Sequence, residues 1–182
     1  MENRFPIQNG TRSFENITLV EEIRPGLFVF GSLQDSIYLY DEAKAQVTNL
    51  RNRVSLKGPH DRLGSITSIL YDPIQAQLWI SSSRGGVMRF DRHFKLMKHY
   101  QKENGLSESY ISSMTRDKEN RIWAVTGRVL YRLNQMEDLF YPVKLYGVPT
   151  QEFTLYGGSC LSSDGNIYFP GNKGIVSFFP GA

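Results

Sequence analysis

The chain has 182 residues, of which 40% are hydrophobic and 13% aromatic, and it carries a formal net charge of +3. That apolar content supplies a core and excludes a disordered segment. Its 21 basic and 18 acidic residues are interspersed, unlike the basic stripe of a nucleic-acid binder, and no run approaches the length of a membrane span.

In chain order, Met1–Pro6 lacks the apolar stretch of a secretion signal. Four units follow, each built from short β-branched and aromatic runs split by turns. The first centres on Leu27–Gly31 and Ser36–Asp41. A longer connection, Arg51 to Gly64, holds the densest basic stretch (Arg51, Arg53, Lys57, His60, Arg62), which reads as a solvated loop. The second unit has Ile66–Asp72, then Leu78-Trp79-Ile80, then Gly86–Asp91, with a fourth strand expected over Phe94–Tyr100. The third repeats this with Ile111–Asp117, Ile122-Trp123-Ala124, Val129–Leu133 and Phe140–Leu145. The last has Ile167–Gly171 and Gly174–Phe178. Asp72-Pro73, Asp117–Asn120 and Asp164-Gly165 supply turn chemistry. Cys160, the single cysteine, sits in an apolar run and reads as a small buried hydrophobe.

Trp79 and Trp123 are 44 positions apart, and Trp123 and Tyr168 are 45 apart. Short strands repeating at this period are the signature of propeller blades. The expectation is therefore an all-β chain of about four four-stranded antiparallel blades, over approximate repeats 15–58, 62–104, 105–149 and 150–180. In this reading Trp79, Trp123 and Tyr168, with Phe28 or Phe30 in the first unit, form the blade core, because a large aromatic between stacked sheets buries much apolar area.

Blade geometry also predicts a face. With the strands of a blade named a to d, the b–c loops and the d-to-a connections share one end. Arg84, Arg128, Asn172 and Lys173 fall on b–c loops. Asn104, Ser107, Glu108 and Tyr110 fall on a connection. These residues are the candidate ligand contacts, because together they offer donors, acceptors and an aromatic. No catalytic set is expected: His60, His93 and His99 lack metal-ligand spacing, and the carboxylates Asp72, Asp117 and Asp164 sit where turns favour Asp. No cofactor or metal is expected.

Asn104-Gly105-Leu106-Ser107, then Ile111, Asp117, Ile122-Trp123 and Leu130-Tyr131, resembles the two-component regulator propeller repeat. The second unit matches at Ile66, Asp72, Leu78-Trp79-Ile80, Gly86-Val87 and Phe90-Asp91; the last, from Ser163 to Pro180, resembles the terminal repeat that precedes a β-sandwich. The third unit departs from the pattern, with Glu119-Asn120 in place of Gly and Gly127-Arg128-Val129 in place of Gly-Leu. The resemblance implies the C-terminal part of a seven-bladed propeller from the periplasmic sensor of a Bacteroides-type hybrid two-component histidine kinase. It implies an oligosaccharide signal, with the remaining blades, the sandwich domain and a homodimer partner as neighbours. The terminal blades then expose apolar faces that an arc, an oligomer or a small closed ring must manage, and residues 1–14 are a candidate edge strand for the last blade. A scaffold without its own ligand and a propeller-based lyase or glycosidase are the alternatives.

Overall fold

A computed structural model describes residues 16–56, 62–145, 153–154 and 158–181. Among these the chain is nearly all antiparallel strand, and its only helical pieces are 3-10 turns at Leu50–Arg53 and Lys102–Asn104. The first blade holds β1 (Ile17–Arg24), β2 (Leu27–Ser32), β3 (Ile37–Asp41) and β4 (Gln46–Asn49). The second holds β5 (Ile66–Asp72), β6 (Gln77–Ser82), β7 (Gly86–Phe90) and β8 (Leu96–Tyr100). The third holds β9 (Ser113–Arg116), β10 (Ile122–Val125), β11 (Leu130–Asn134) and β12 (Leu139–Val143). The fourth holds β13 (Cys160–Leu161), β14 (Ile167–Gly171) and β15 (Gly174–Phe178). These are β-propeller blades: three of the sheets have four strands, and the described part of the last has three. The first 14 residues lie outside the described residues.

Period-2 alternation gives each sheet two apolar faces. Leu78 and Ile80 pack back against the first blade, while Trp79 between them packs forward against the third. Ile122 and Ala124 face the second blade, and Trp123 and Val125 face the fourth. Three core clusters result, one at each junction between successive blades. Trp79 and Trp123 are 4% and 3% exposed. Burying a ring of this size is worth about 4–6 kcal/mol as an upper bound. Trp79 stacks on Tyr100 (5.8 Å), which meets Phe140 edge-on (5.3 Å). Trp123 lies 5.0 Å from Phe178.

The same register corrects two sequence assignments. In the first blade, Val29 takes the forward position that Trp79 and Trp123 hold, and it packs in the first cluster. Phe28 and Phe30 lie on the opposite face, in ladders Phe28–Tyr40–Val47 and Phe30–Tyr38–Asn49. Tyr168 does share the tryptophans' register, between Cys160 and Ser177. It is only half-buried, however, because its face looks forward past the last described sheet, where Ile175 is 73% exposed. Cys160, on that face, is exposed rather than buried.

The turns repeat as strictly as the cores. Asp117 N–H donates to the Arg121 carbonyl (3.1 Å) and Asn120 N–H to the Asp117 carbonyl (3.0 Å). Ser162–Asn166 and Asp91–Lys95 close in the same way. Each is a three-residue hairpin loop with a left-handed third residue: Asn120 (φ 64°), Gly165 (φ 97°) and Phe94 (φ 59°). Asn tolerates this conformation better than most residues, so Asn120 substitutes for the expected glycine without changing the loop. Asp164-Gly165 is likewise part of a three-residue loop rather than a two-residue turn.

Asn104-Gly105-Leu106-Ser107 is a junction device. Leu106 is buried in the second cluster, and Asn104 Oδ1 accepts the Gln101 N–H (3.2 Å). Ser107 Oγ and N–H bond the hydroxyl of buried Tyr131. Gly105 has φ 94°, and a Cβ there would lie 2.0 Å from the Phe140 carbonyl oxygen. Gly105→Ala therefore imposes both a strained φ and a backbone clash. The expected loss is at least about 2 kcal/mol, or roughly 4–8 °C in Tm for a chain of this size, measured by thermal unfolding.

Candidate functional site

The b–c loops are tied to the lead-in of the following blade. Asp35 N–H donates to the Gly64 carbonyl (3.0 Å), Gly86 N–H to Ser109 (2.8 Å), Ile111 N–H to Ser82 (3.1 Å) and Phe153 N–H to Gly127 (3.0 Å). Asp35 also accepts the Leu63 N–H and pairs with Arg51 Nε (3.1 Å). Arg53 donates to the carbonyls of His93 and Phe94. Arg53 thus ties the connection to the second blade, Arg51 ties it back to the first, and Lys57 and His60 lie outside the described residues.

On this end the innermost strands surround a pocket of about 470 Å³. Thr18, Leu19 and Leu33 come from the first blade, and Ile66 and Thr67 from the second. Ser112 and Gly158 come from the lead-ins of the third and fourth. The walls are mostly apolar, with small hydroxyl side chains among them. The volume falls in the usual range for a small-molecule site.

None of the sequence-predicted contacts lines this pocket. Arg84 and Arg128 are exposed at the tips of adjacent b–c loops, and Lys173 is exposed on the next. Asn172 is exposed on the same loop and makes an interaction of its own. Glu108 and Tyr110 are half-buried on the lead-in to the third blade, with Tyr110 already engaged. Asn104 is committed to its own turn. The topology thus puts these residues on one end of the molecule, as polar surroundings rather than as pocket walls. The pocket itself was missed because its lining is hydroxyl and aliphatic, and such residues carry no sequence signal.

The densest cluster of charge lies at the opposite end, between the second and third blades. Asp138 receives both Arg89 guanidinium N–H groups (3.1 Å each), Lys98 Nζ (2.9 Å) and the Tyr100 hydroxyl. Arg89 also lies over the Trp79 ring at 5.2 Å. Burial would raise the Asp138 carboxyl, but Tyr100, Lys98 and Arg89 outweigh it and hold the group below the ordinary aspartate range. Burial, and then the bond to Asp138, push the Tyr100 phenol far up. Opposite charges face each other across it, so the cluster acts as a clasp between the second and third blades. Among the described residues no group of His, Cys, Asp and Glu could hold a metal ion, and no helix is long and apolar enough to cross a membrane.

No family model matches the sequence, and no curated protein matches it. The fold does have known counterparts. The chain is similar to the extracellular domain of BT3049 from B. thetaiotaomicron, described as a hybrid two-component system, with 21% identity and a TM-score of 0.72 over 90% of this chain and 22% of that one. It is similar to the extracellular domain of BT4673, described in the same terms and from the same organism (18%, TM-score 0.69, 91% of this chain and 23% of that one). It also resembles the WD40 β-propeller domain of Doa1 (12%, TM-score 0.63, 88% and 49%). The chain spans under a quarter of these two extracellular domains, and at these identities the likeness establishes the propeller fold.

The clasp makes a sharp prediction. Asp138→Asn keeps the left-handed turn residue (φ 55°) but removes the charge from under Arg89 and Lys98, at an expected cost of about 1–3 kcal/mol. Because the folded carboxyl is depressed, its contribution is complete above the ordinary aspartate pKa of about 3.9 and is lost as pH falls through the folded value. The Tm gap between wild type and variant should therefore be full at neutral pH and close below about pH 4.

Proposed function

We propose that the chain is a stretch of propeller from the periplasmic sensor region of a hybrid two-component histidine kinase, and that it helps recognise oligosaccharides from polysaccharide breakdown. The observation that carries this reading is the fit of nine-tenths of the chain to the extracellular domain of one such system, repeated on a second. The agreement of Asn104–Ser107 and the Trp79 and Trp123 units with the sensor repeat supports it from the sequence side. Binding is read as the role, in preference to a lyase or glycosidase.

The pocket and its surroundings suit a sugar. Aliphatic walls from Leu19, Leu33 and Ile66 take the C–H faces of a ring, Thr18 supplies a hydroxyl, and Thr67 and Ser112, bonded to Ser81 and to the Val125 and Thr126 carbonyls, keep oxygens that can accept. Arg84, Arg128, Glu108, Tyr110, Asn172 and Lys173, on the loops and lead-ins of the same end, are proposed as its polar contacts. A ligand that prefers one arrangement of the assembled sensor over another shifts the population between them, and that shift is the signal.

One observation favours a second reading, a scaffold. The forward face of the last sheet, with Tyr168, Pro170 and exposed Ile175, repeats the face that is covered at every earlier junction. A further blade of the parent protein, or a second copy, would complete it.

Thermal unfolding with a panel of plant and host oligosaccharides tests the proposal. A glycan at about 100 times its Kd adds roughly 2.7 kcal/mol, on the order of 5–10 °C here. The shift should vanish in Leu33→Trp, which fills the pocket, and weaken in Arg84→Ala with Arg128→Ala. A shift that survives all three substitutions would place the site elsewhere. No shift from a folded chain would favour the scaffold.

A further inference from the structure

The second and third blades repeat each other closely, and at one point they differ. In the third blade Trp123 Nε1–H donates to Asp117 Oδ2 (2.7 Å), which also holds Arg121 Nε (2.6 Å). Asp72 is the corresponding carboxylate of the second blade. It accepts the N–H groups of Ile74 and Gln75, the side-chain amide of Asn120, and Arg116 at 3.6 Å. It takes nothing from Trp79, whose indole N–H has no acceptor among the described residues. Trp79 lines a cleft of about 250 Å³ with Asp72, Gln75, Arg89, Asn120 and Gln135, floored by Ile122 and Leu133. This cleft opens at the turn end of blades two and three, opposite the axial pocket.

The chemistry of the cleft narrows its ligand. Its charges are cancelled internally, Asp72 by Arg116 and Arg89 by Asp138, so a net ion gains little. What remains is a set of neutral groups, beside one cationic donor, the buried Arg89 Nε, which has no hydrogen-bond partner among the described residues. Asn120 gives its side-chain N–H to Asp72, and Gln135 gives its own to the Asn120 main-chain carbonyl (3.2 Å). Both amide oxygens, the Gln75 amide and the Trp79 N–H are left to bond a guest. A hydroxyl both donates and accepts, so several hydroxyls on one ring match mixed donors and acceptors better than an anion or a cation does. At about 30 Å³ per water, the volume equals roughly eight waters, which suits one ring and not a chain of them.

We propose that this cleft binds a single neutral hydroxylated ring, such as one sugar unit or a cyclic polyol, with the Trp79 indole N–H as a donor to it. The site stands apart from the axial pocket and does not depend on the chain belonging to a sensor.

The two tryptophans make the test direct. Trp79 faces the cleft, and the Trp123 N–H, bound to Asp117, serves as the reference. The indole N–H resonances of the 15N-labelled chain are followed during titration with glucose, galactose, mannose and inositol, and with glucuronate and glucosamine as charged controls. The expected result is a saturable shift of the Trp79 signal with a Kd on the order of 1–10 mM for at least one neutral ring, with the Trp123 signal unmoved. Gln75→Phe and Gln135→Phe, both at exposed turn positions, should each weaken this at least tenfold while leaving Tm unchanged. A Trp79 signal that no neutral ring moves overturns the proposal. So does a shift that survives both substitutions, or one that Leu33→Trp abolishes, since the latter reports the axial pocket.

Discussion

Everything in this molecule depends on one sheet face packing on the next. A strand of period 2 presents alternate side chains to opposite sides, so a sheet that is apolar on both sides must be covered on both. Trp79 and Trp123 point forward into the following blade, while Leu78, Ile80, Ile122 and Ala124 point back into the preceding one. The aromatic is large on one side and the aliphatics are smaller on the other, so each junction interdigitates. The blade is therefore not an independent folding unit. Its stability resides in the junction, as nearest-neighbour coupling does in other repeat architectures.

Around those junctions the polar groups act as fasteners. At one end, each b–c loop bonds the lead-in to the next blade through backbone groups, which fixes where the following first strand enters and so shapes the axial pocket. At the other end, side chains do the work. Asp138 gathers Arg89, Lys98 and Tyr100, and Lys118 and Arg121 reach the Ser163 and Pro180 carbonyls of the fourth blade. Backbone stitching tolerates sequence change and side-chain clasps do not. The turn end thus varies from junction to junction: Asp117 holds a tryptophan where Asp72 holds Asn120 and Arg116. The cleft between the second and third blades follows from that variation.

Much of the fold was legible because the signals were local. The strand runs, the 44- and 45-residue spacings and the turn residues gave blades of the right kind. Where reading failed, the reason was register. Phe28 and Phe30 looked equivalent to the tryptophans by composition, yet one residue of offset turns a side chain to the opposite face, and Val29 holds the equivalent position. Tyr168 was read in the right register but grouped with the core, because burial depends on whether another sheet follows. Cys160 sits in an apolar run yet is exposed for the same reason. Topology does bring the b–c loops and the lead-ins together at one end. Its exposed arginines stand outside the pocket, because a cavity is made by backbone positions around an axis and not by residue types.

The sequence by itself determined the class of fold and the spacing of its units, because alternation, turn chemistry and left-handed positions are properties of a few consecutive residues. Only the tertiary structure decided which face each aromatic occupies, which carboxylate clasps a neighbour and which indole N–H is left without an acceptor among the described residues. Those outcomes rest on contacts between residues about 45 positions apart, and their geometry is set by the rotation from one blade to the next, which no local pattern encodes.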